Sequence, residues 1–503
     1  MKPIGSVTMY FPFLEKTTCD ELNSLMNQAQ TLWEFASSLS ERVCSSNKQE
    51  ELAFLALLFA TELGQHEFLE KMSYKYQAIP AFHPFLLLGR TFLDRTVDYD
   101  LVINSVDLAM SISPKSWMAI ELLDAKAFAG FMKRGWTSEE DQVLEEMKRL
   151  IESDEKLNCF KHITHDWEAR IWDREGKTDK FIEEMESALK VTRAYDDKMH
   201  EASILQYIAR SKMNSDANAA KELLIESRTI FKALGNWNSF ALVQHGLGLI
   251  QGIRGEFDDA LESFFDAAAI KGEAGRPIVD TMYSTAIPHD IAFIYNELGE
   301  GRNALEWSKL GLDEAKSVPR SYAEGLMQIA WALIHINKIE EARKIIDELG
   351  EIVFKAGDDT YLPLHDFAQG LLEIKEGNLK TASQSLSQAL RLCIATNRMA
   401  LTNSCFLKLA EIELKMVQSG NYDVSFEMPQ SWMNRLEEHA REKDYPGIRM
   451  LHALLKAEYQ TEIEEQDAAR LTLKDALTFS ESLGVESLRK RIQERLKEFE
   501  TNP

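Results

Sequence analysis

Long apolar runs are missing from this 503-residue chain. The longest, Ala53 to Ala60, falls far short of the ~20 residues a membrane-crossing helix needs, so no membrane insertion is expected. Met1 to Thr18 is interrupted by Pro3, Gly5 and Pro12 and lacks the unbroken apolar core of a secretory signal. Proline is scarce, at 12 residues, which leaves long helices uninterrupted. The cysteines are five, Cys19, Cys44, Cys159, Cys393 and Cys405, an odd and scattered set with no C-x-x-C. That argues against a disulfide framework and fits reduced, packed thiols in a cytoplasmic protein. Positive charge is short as well. Lys and Arg number 57 against 81 Asp and Glu, for a net charge of −24 and a pI near 5.0. Such a field repels phosphate backbones, so nucleic acid is not an expected partner. No G-x-S-x-G, phosphate-binding loop or H-E-x-x-H occurs, so neither catalysis nor a cofactor is expected.

What the chain does have is a repeat. At 45% hydrophobic it is too apolar to be disordered. Near its middle, Leu247-Gly248 is followed by Gly255-Glu256-Phe257-Asp258-Asp259-Ala260, then Phe264 and Ala267. Leu-Gly late in one helix, a glycine turn, then Ala-x3-Phe-x2-Ala in a second helix is the spacing of a helix–turn–helix repeat. Two antiparallel helices approach closely only where a side chain is missing. Gly248 and Ala260 are placed for that contact, and Phe264 fills the space beside it. The packing position recurs at Phe181, Ala220, Ala260, Ala304, Ala342 and Ala382, roughly every 40 residues against the usual 34 of a tetratricopeptide repeat. The surplus is ascribed to longer helices or longer loops, with Asn214-Ser215-Asp216, Gly235-Asn236, Gly272 to Arg276 and Gly357-Asp358-Asp359 as candidate loops.

On these residues the chain resembles the long-repeat tetratricopeptide proteins: kinesin light chains, bacterial peptide-sensing regulators and the maltose-regulator type of signal-receiving domain. The resemblance covers roughly residues 162 to 398. It implies an all-α, right-handed solenoid of antiparallel helical hairpins that binds rather than transforms. The expected organisation is an N-terminal extended segment (1–18), divergent hairpins (19–160), the repeat array (161–398), and divergent hairpins with a capping helix (399–503). In the flanks, Thr18-Cys19-Asp20-Glu21 reads as a capping box opening a helix. Helices are expected at Glu51 to Leu63, Phe85 to Asp94, Tyr99 to Ser111, Trp117 to Arg134, Glu139 to Ser153, Ala400 to Gln418, Ser431 to Glu442, Tyr445 to Glu462, Asp467 to Leu483 and Glu486 to Phe499. Gly420 to Pro429 reads as a loop.

Few constellations carry chemistry. His162 and His165, one turn apart with Glu168 nearby, have metal-ligand spacing, but no partner cluster is visible, and solvated or capping histidines are the expectation. Arg134 to Asp141 resembles the opening of a Myb/SANT DNA-binding repeat, but the core aromatics that fold needs are not there. Thr137 or Ser138 is read instead as an N-cap with acids in the first turn. His289-Asp290 and His365-Asp366 follow Pro288 and Pro363. The proline is read as starting or kinking the helix, and the Asp as serving its positive end.

The inner face of the array is the better candidate for binding. Counting back from each turn, it comprises His245 and Leu249; His289, Phe293 and Asn296; Met327, Trp331 and Ile334; and Phe367 and Leu371, with Asp166 and Arg170 upstream. The set is apolar and aromatic and lacks the lysine and asparagine clamp that chaperone-binding tetratricopeptide domains use. The expected partner is a protein or peptide, an apolar or amphipathic-helix segment, and the protein is expected to be a scaffold or adaptor. Three alternatives stay open: a ligand- or peptide-sensing module with a separate output partner, an all-helical enzyme with its site in the superhelix opening, and the same residues packed as plain core between repeats.

Overall fold

A computed structural model describes residues 12–14, 16–45, 50–63, 66–75, 79–89, 98–270, 281–316, 319–356, 361–420, 431–480 and 485–501. The described residues are helices and short connections, and none of the helices is long and apolar enough to cross a membrane. The fold is all-α and tetratricopeptide-like, built of antiparallel helical hairpins. The repeat hairpins run Lys161–Arg174 with Thr178–Ala194, Lys198–Lys212 with Ala217–Leu234, Trp237–Arg254 with Phe257–Ala269, Thr281–Glu297 with Gly301–Ala315, Pro319–His335 with Ile339–Ala356, and Leu362–Lys375 with Leu379–Ala395. Met399–Gln418 with Trp432–Glu442 and Pro446–Glu462 with Gln466–Phe479 continue the pattern, and Glu486–Thr501 closes it.

The surplus over 34 residues sits mainly in the helices. Trp237–Arg254 and Ile339–Ala356 have 18 residues each, and only Gly255 and Glu256 separate the hairpin partners around Gly255. That turn has a physical cause. Gly255 adopts φ +74°, its N–H donates to Gly252 O, and the N–H of Glu256 donates back to Gln251 O. This pair of bonds satisfies carbonyls that a helix end leaves orphaned and reverses the chain in two residues. Asp196, Asn337, Asn397 and Asp444 take the same left-handed conformation at other turns. The candidate loops Gly272 to Arg276 and Gly357-Asp358-Asp359, and all but the first residue of Gly420 to Pro429, lie outside the described residues.

The small-residue reading holds in detail. Ala220, Ala260, Ala304, Ala342 and Ala382 are fully buried, and Phe181 is buried where the alanine is replaced. A methyl built on Gly248 would lie 2.5 Å from Cε1 of Phe264. Gly248→Ala is therefore expected to lower stability by up to ~2 kcal/mol, the ~1–3 kcal/mol overpacking cost less the ~1 kcal/mol that alanine gains over glycine in a helix. Combining it with Phe264→Leu should recover part of that loss. A urea-unfolding double-mutant cycle measures the coupling, and strictly additive effects would refute the contact.

Helix ends fall within a residue or two of expectation for Tyr99–Ser111, Ser116–Arg134, Ser138–Glu152 and Met399–Gln418. Thr137 is the N-cap of Ser138–Glu152, in a capping box closed by Glu140. Two expectations need correction. The first helix starts at Lys16, before Thr18, whose hydroxyl donates to Glu51 Oε2 at 2.9 Å instead of capping. Asp290 is not at a helix start, because Pro288 lies inside Thr281–Glu297; the carboxylate accepts a hydrogen bond from His245 Nε2 at 2.7 Å.

The chain divides into two compact units. Unit 1 comprises Met1–Lys212, Glu222–Val243 and Ile270–Ile278, and unit 2 comprises Met213–Lys221, Gln244–Ala269 and Val279–Pro503. Within unit 2, early and late hairpins meet. Asn403 Nδ2 donates to Ile253 O at 2.7 Å, Ser404 donates to Glu297, and Ser487 donates to Asp258 through its backbone N–H at 2.9 Å and its hydroxyl. Gly255 and Gly447 are in backbone contact that leaves no room for a side chain on either.

Candidate functional site

Within unit 1, a cavity opens among the helices that precede the repeats and the first two repeat hairpins. Its apolar wall is Phe13, Leu32, Leu55, Leu58, Phe59, Trp117, Phe160 and Met199, and its polar end is Glu121, Cys159, His162, Asp197 and His200. The empty space is about 660 Å³, counting the open mouth. Phe13 packs its ring 5.1 Å from both Trp117 and Phe160. Trp117 lies in the first turn of Ser116–Arg134, with its indole packed edge-on against Phe54.

The polar end follows from helix-terminus chemistry. Asp196 takes φ +54° and ends Thr178–Ala194, leaving Asp197 at the entry to Lys198–Lys212. One carboxylate oxygen of Asp197 accepts the backbone N–H of His200 at 3.1 Å, and the other pairs with His200 Nδ1 at 2.7 Å. His162 sits one residue into Lys161–Arg174, just past the 3-10 turn Glu155–Phe160. Its Nδ1 is 2.7 Å from Cys159 O, which fixes the proton there and makes Nε2 the nitrogen with the lone pair. The rings of His162 and His200 lie 4.3 Å apart. Two buried polar atoms among the cavity residues have no hydrogen-bond partner, His162 Nε2 and Trp117 Nε1. Buried polar groups are normally satisfied, so each marks a place where a bound group has something to offer.

The charge states are set by burial and neighbours. Burial, then the nearby His200, pushes His162 down to about 4, so its ring is neutral at pH 7. Burial opposes the charge of Asp197, but His200 beside it outweighs that and holds the carboxyl at about 2. Burial and then the Asp197 charge push the Cys159 thiol up to about 12, which removes it as a thiolate nucleophile.

His162 and His165 do not share a site. His165 Nδ1 pairs with Glu184 at 2.8 Å, and Glu168 beside it is held by Lys148 Nζ at 2.9 Å, an ion-pair network at the half-exposed surface. Asp166 pairs with Arg170 at 2.8 Å. Of the ten inner-face residues expected to line a groove, Leu249 and Phe293 are half-buried. His245, His289, Asn296, Met327, Trp331, Ile334, Phe367 and Leu371 are buried. Trp331 packs edge-on against Phe293 and Phe367 and stacks on His335. Asn296 Nδ2 donates to Gln328 Oε1 at 2.9 Å. No motif in the sequence marks Asp197, His200, Trp117 or Glu121 as site residues. Asp197-x-x-His200 reads as an ordinary helix opening until the fold sets it beside His162.

No protein-family model matches the chain, and no curated protein does. Among solved structures, the chain is similar to a Rap protein complexed with competence and sporulation factor, at 15% identity over 68% of this chain and 98% of that one, TM-score 0.39. It is similar to the apo form of the quorum sensor NprR from B. thuringiensis, at 11% identity over 82% and 99%, TM-score 0.41. It is also similar to a STAND signal-transduction ATPase with a tetratricopeptide repeat sensor from Pyrococcus horikoshii, at 12% identity over 98% and 73%, TM-score 0.40.

Proposed function

We propose that the chain is a non-enzymatic, cytoplasmic scaffold or adaptor that binds a protein or peptide through an apolar or amphipathic-helix segment. The cavity of unit 1 supports this most. A concave, mainly apolar surface with a few convergent polar groups is the form a binding site takes, and its eight apolar wall residues suit an aliphatic or aromatic anchor. The inner-face stripe of the array enters the proposal through Leu249 and Phe293, which keep exposed surface. The buried members hold the spacing between repeats.

Selection of displayed random peptides against the full chain tests it. Peptides that share an apolar anchor, bind the wild type, and lose about tenfold or more in affinity for Leu58→Trp, a substitution that fills the cavity, support the reading, provided the melting temperature is unchanged. Binding that survives Leu58→Trp but fails with Phe293→Ala moves the site to the inner face. Binding indifferent to both, or no selected peptide, overturns the proposal.

One observation favours a second reading, a ligand-sensing regulatory module acting through a separate output partner. The cavity sets an apolar wall beside a small group of polar side chains, Glu121, His162, Asp197 and His200, the kind of lining that small-molecule sites share. Native mass spectrometry decides between them: a retained small molecule that Leu58→Trp expels favours the sensor.

A further inference from the structure

We propose that His162, Asp197 and His200 form a binding site for a divalent transition-metal ion of the zinc class, with its open coordination position facing the unit 1 cavity. The donor atoms of the three side chains lie within 4.8 Å of one another. Donors around a tetrahedral zinc ion lie about 3.4 Å apart, given bonds of ~2.0–2.1 Å, so modest side-chain rotations bring the set to ligand geometry. Two imidazoles and one carboxylate are a donor set for zinc, cobalt, iron or nickel rather than for calcium or magnesium.

Three further features fit. His162 presents an unprotonated nitrogen: Nδ1–H is committed to Cys159 O at 2.7 Å, the outer-shell arrangement that orients histidine ligands, and Nε2 is buried without a partner. The residue is only 6% exposed, so solvent does not satisfy that nitrogen. Asp197 Oδ2 and His200 Nδ1 already face each other at 2.7 Å, and a metal ion between them replaces that hydrogen bond, the neutral ring then carrying its proton on Nε2. The cap that Asp197 places on the His200 backbone N–H accounts for one carboxylate oxygen. It does not account for the imidazole aligned on the other, nor for His162 Nε2. Glu121 lines the same polar end and adds negative charge favourable to a cation.

The site shares the cavity of the proposed binding function, but its test needs no peptide or ligand, so the two readings fail separately. Zn²⁺ is titrated calorimetrically into chelator-treated full-length chain, and Co²⁺ loading is followed by visible absorption. The expected result is one ion per chain and the intense visible bands of low-coordinate cobalt. His162→Ala and His200→Ala should weaken binding by more than the ~10–100-fold that loss of an outer-shell partner costs, while His165→Ala, one turn from His162, leaves it unchanged. Circular dichroism and melting temperature verify that each variant folds. Should His162→Ala not fold, the Cu²⁺-loaded wild type decides by pulsed electron paramagnetic resonance: two histidine nitrogens on the ion support the site, and one or none overturns it. No stoichiometric binding, or binding indifferent to His162→Ala and His200→Ala, overturns it as well.

Discussion

Trp331→Ala destabilises the fold by ~3–5 kcal/mol, the cost of removing a large aromatic side chain from a packed interior. Trp331 is 1% exposed and is among the largest fully buried side chains of the described residues. Its neighbours come from three successive hairpins. Phe293 lies on Thr281–Glu297, Phe367 on Leu362–Lys375, and Trp331 on Pro319–His335 between them. Each neighbour is anchored in its own helix, so the void does not collapse, and the cavity term adds to the lost transfer energy. In a solenoid the stability of each repeat is carried largely by its interfaces with the next. The loss should therefore appear as early exchange of amide hydrogens in those three helices before the rest of unit 2 opens. Trp331→Phe keeps an edge-on partner for Phe367 and should cost less than half as much. Urea unfolding with hydrogen-exchange mass spectrometry checks both. If Trp331→Ala instead kept the wild-type stability and lost a bound partner, the residue would be a contact surface and its packing role would be refuted.

That residue also shows what the sequence made legible and what it did not. The hairpins were readable because their determinants are local: a small residue at Gly248 or Ala260, a left-handed turn residue at Gly255, an N-cap at Thr137. Such signals act within one or two helical turns, and helix limits followed from them. Which face of a first helix meets solvent is not local. One residue turns a helix by about 100°, and in helices as long as Pro319–His335, with 17 residues, the next repeat covers most of the remaining circumference. The stripe of apolar residues therefore looked like a groove lining and proved to be mostly buried. The contacts of Asn403 with Ile253 and of Ser487 with Asp258 span 150 and 229 residues and leave no periodic trace. The same holds for the unit 1 cavity. Phe13, Trp117, His162 and His200 are scattered over more than a third of the chain, and each has an unremarkable local reading as core or helix opening. Only the packing of the divergent N-terminal helices on the first repeats brings them together.

Acidification should weaken unit 2 well before its carboxylates titrate. Burial holds four imidazoles of the described residues there below their ordinary range, His289, His335, His439 and His452, the last down to about 4. Burial, and then the Lys408 cation, push His335 down to about 4; burial and Lys443 do the same to His439. Both rings are already committed as neutral donors. His335 Nε2 donates to Asn296 O at 3.0 Å, and His439 Nε2 donates to Asn403 Oδ1 at 2.7 Å. In the unfolded chain both titrate near the ordinary ~6.5. Above that value neither state binds the proton and the folded state bears no cost. As pH falls through ~6.5 the unfolded chain takes up protons on these rings that the folded chain refuses, and stability declines until ~4, where the folded rings protonate too. The difference of about 2.5 pH units corresponds to at most ~3 kcal/mol per histidine. Glu297 works in the opposite sense: burial, only partly offset by its Ser404 hydrogen bond, raises its carboxyl, so the folded state gains stability as that group protonates, which blunts the decline. Melting temperature should fall steadily between about pH 6.5 and 4.5, and His335→Gln with His439→Gln should make that slope shallower, the remainder coming from His289 and His452. The strain falls on a specific contact, since Asn403 accepts from His439 while donating to Ile253 O. Protection of the Trp432–Glu442 and Trp237–Arg254 amides should therefore drop with pH in the wild type and less in the double variant. A wild-type melting temperature that stays flat over this range would mean that the two rings protonate in place, and the account of how unit 2 holds its early and late hairpins together would fail with it.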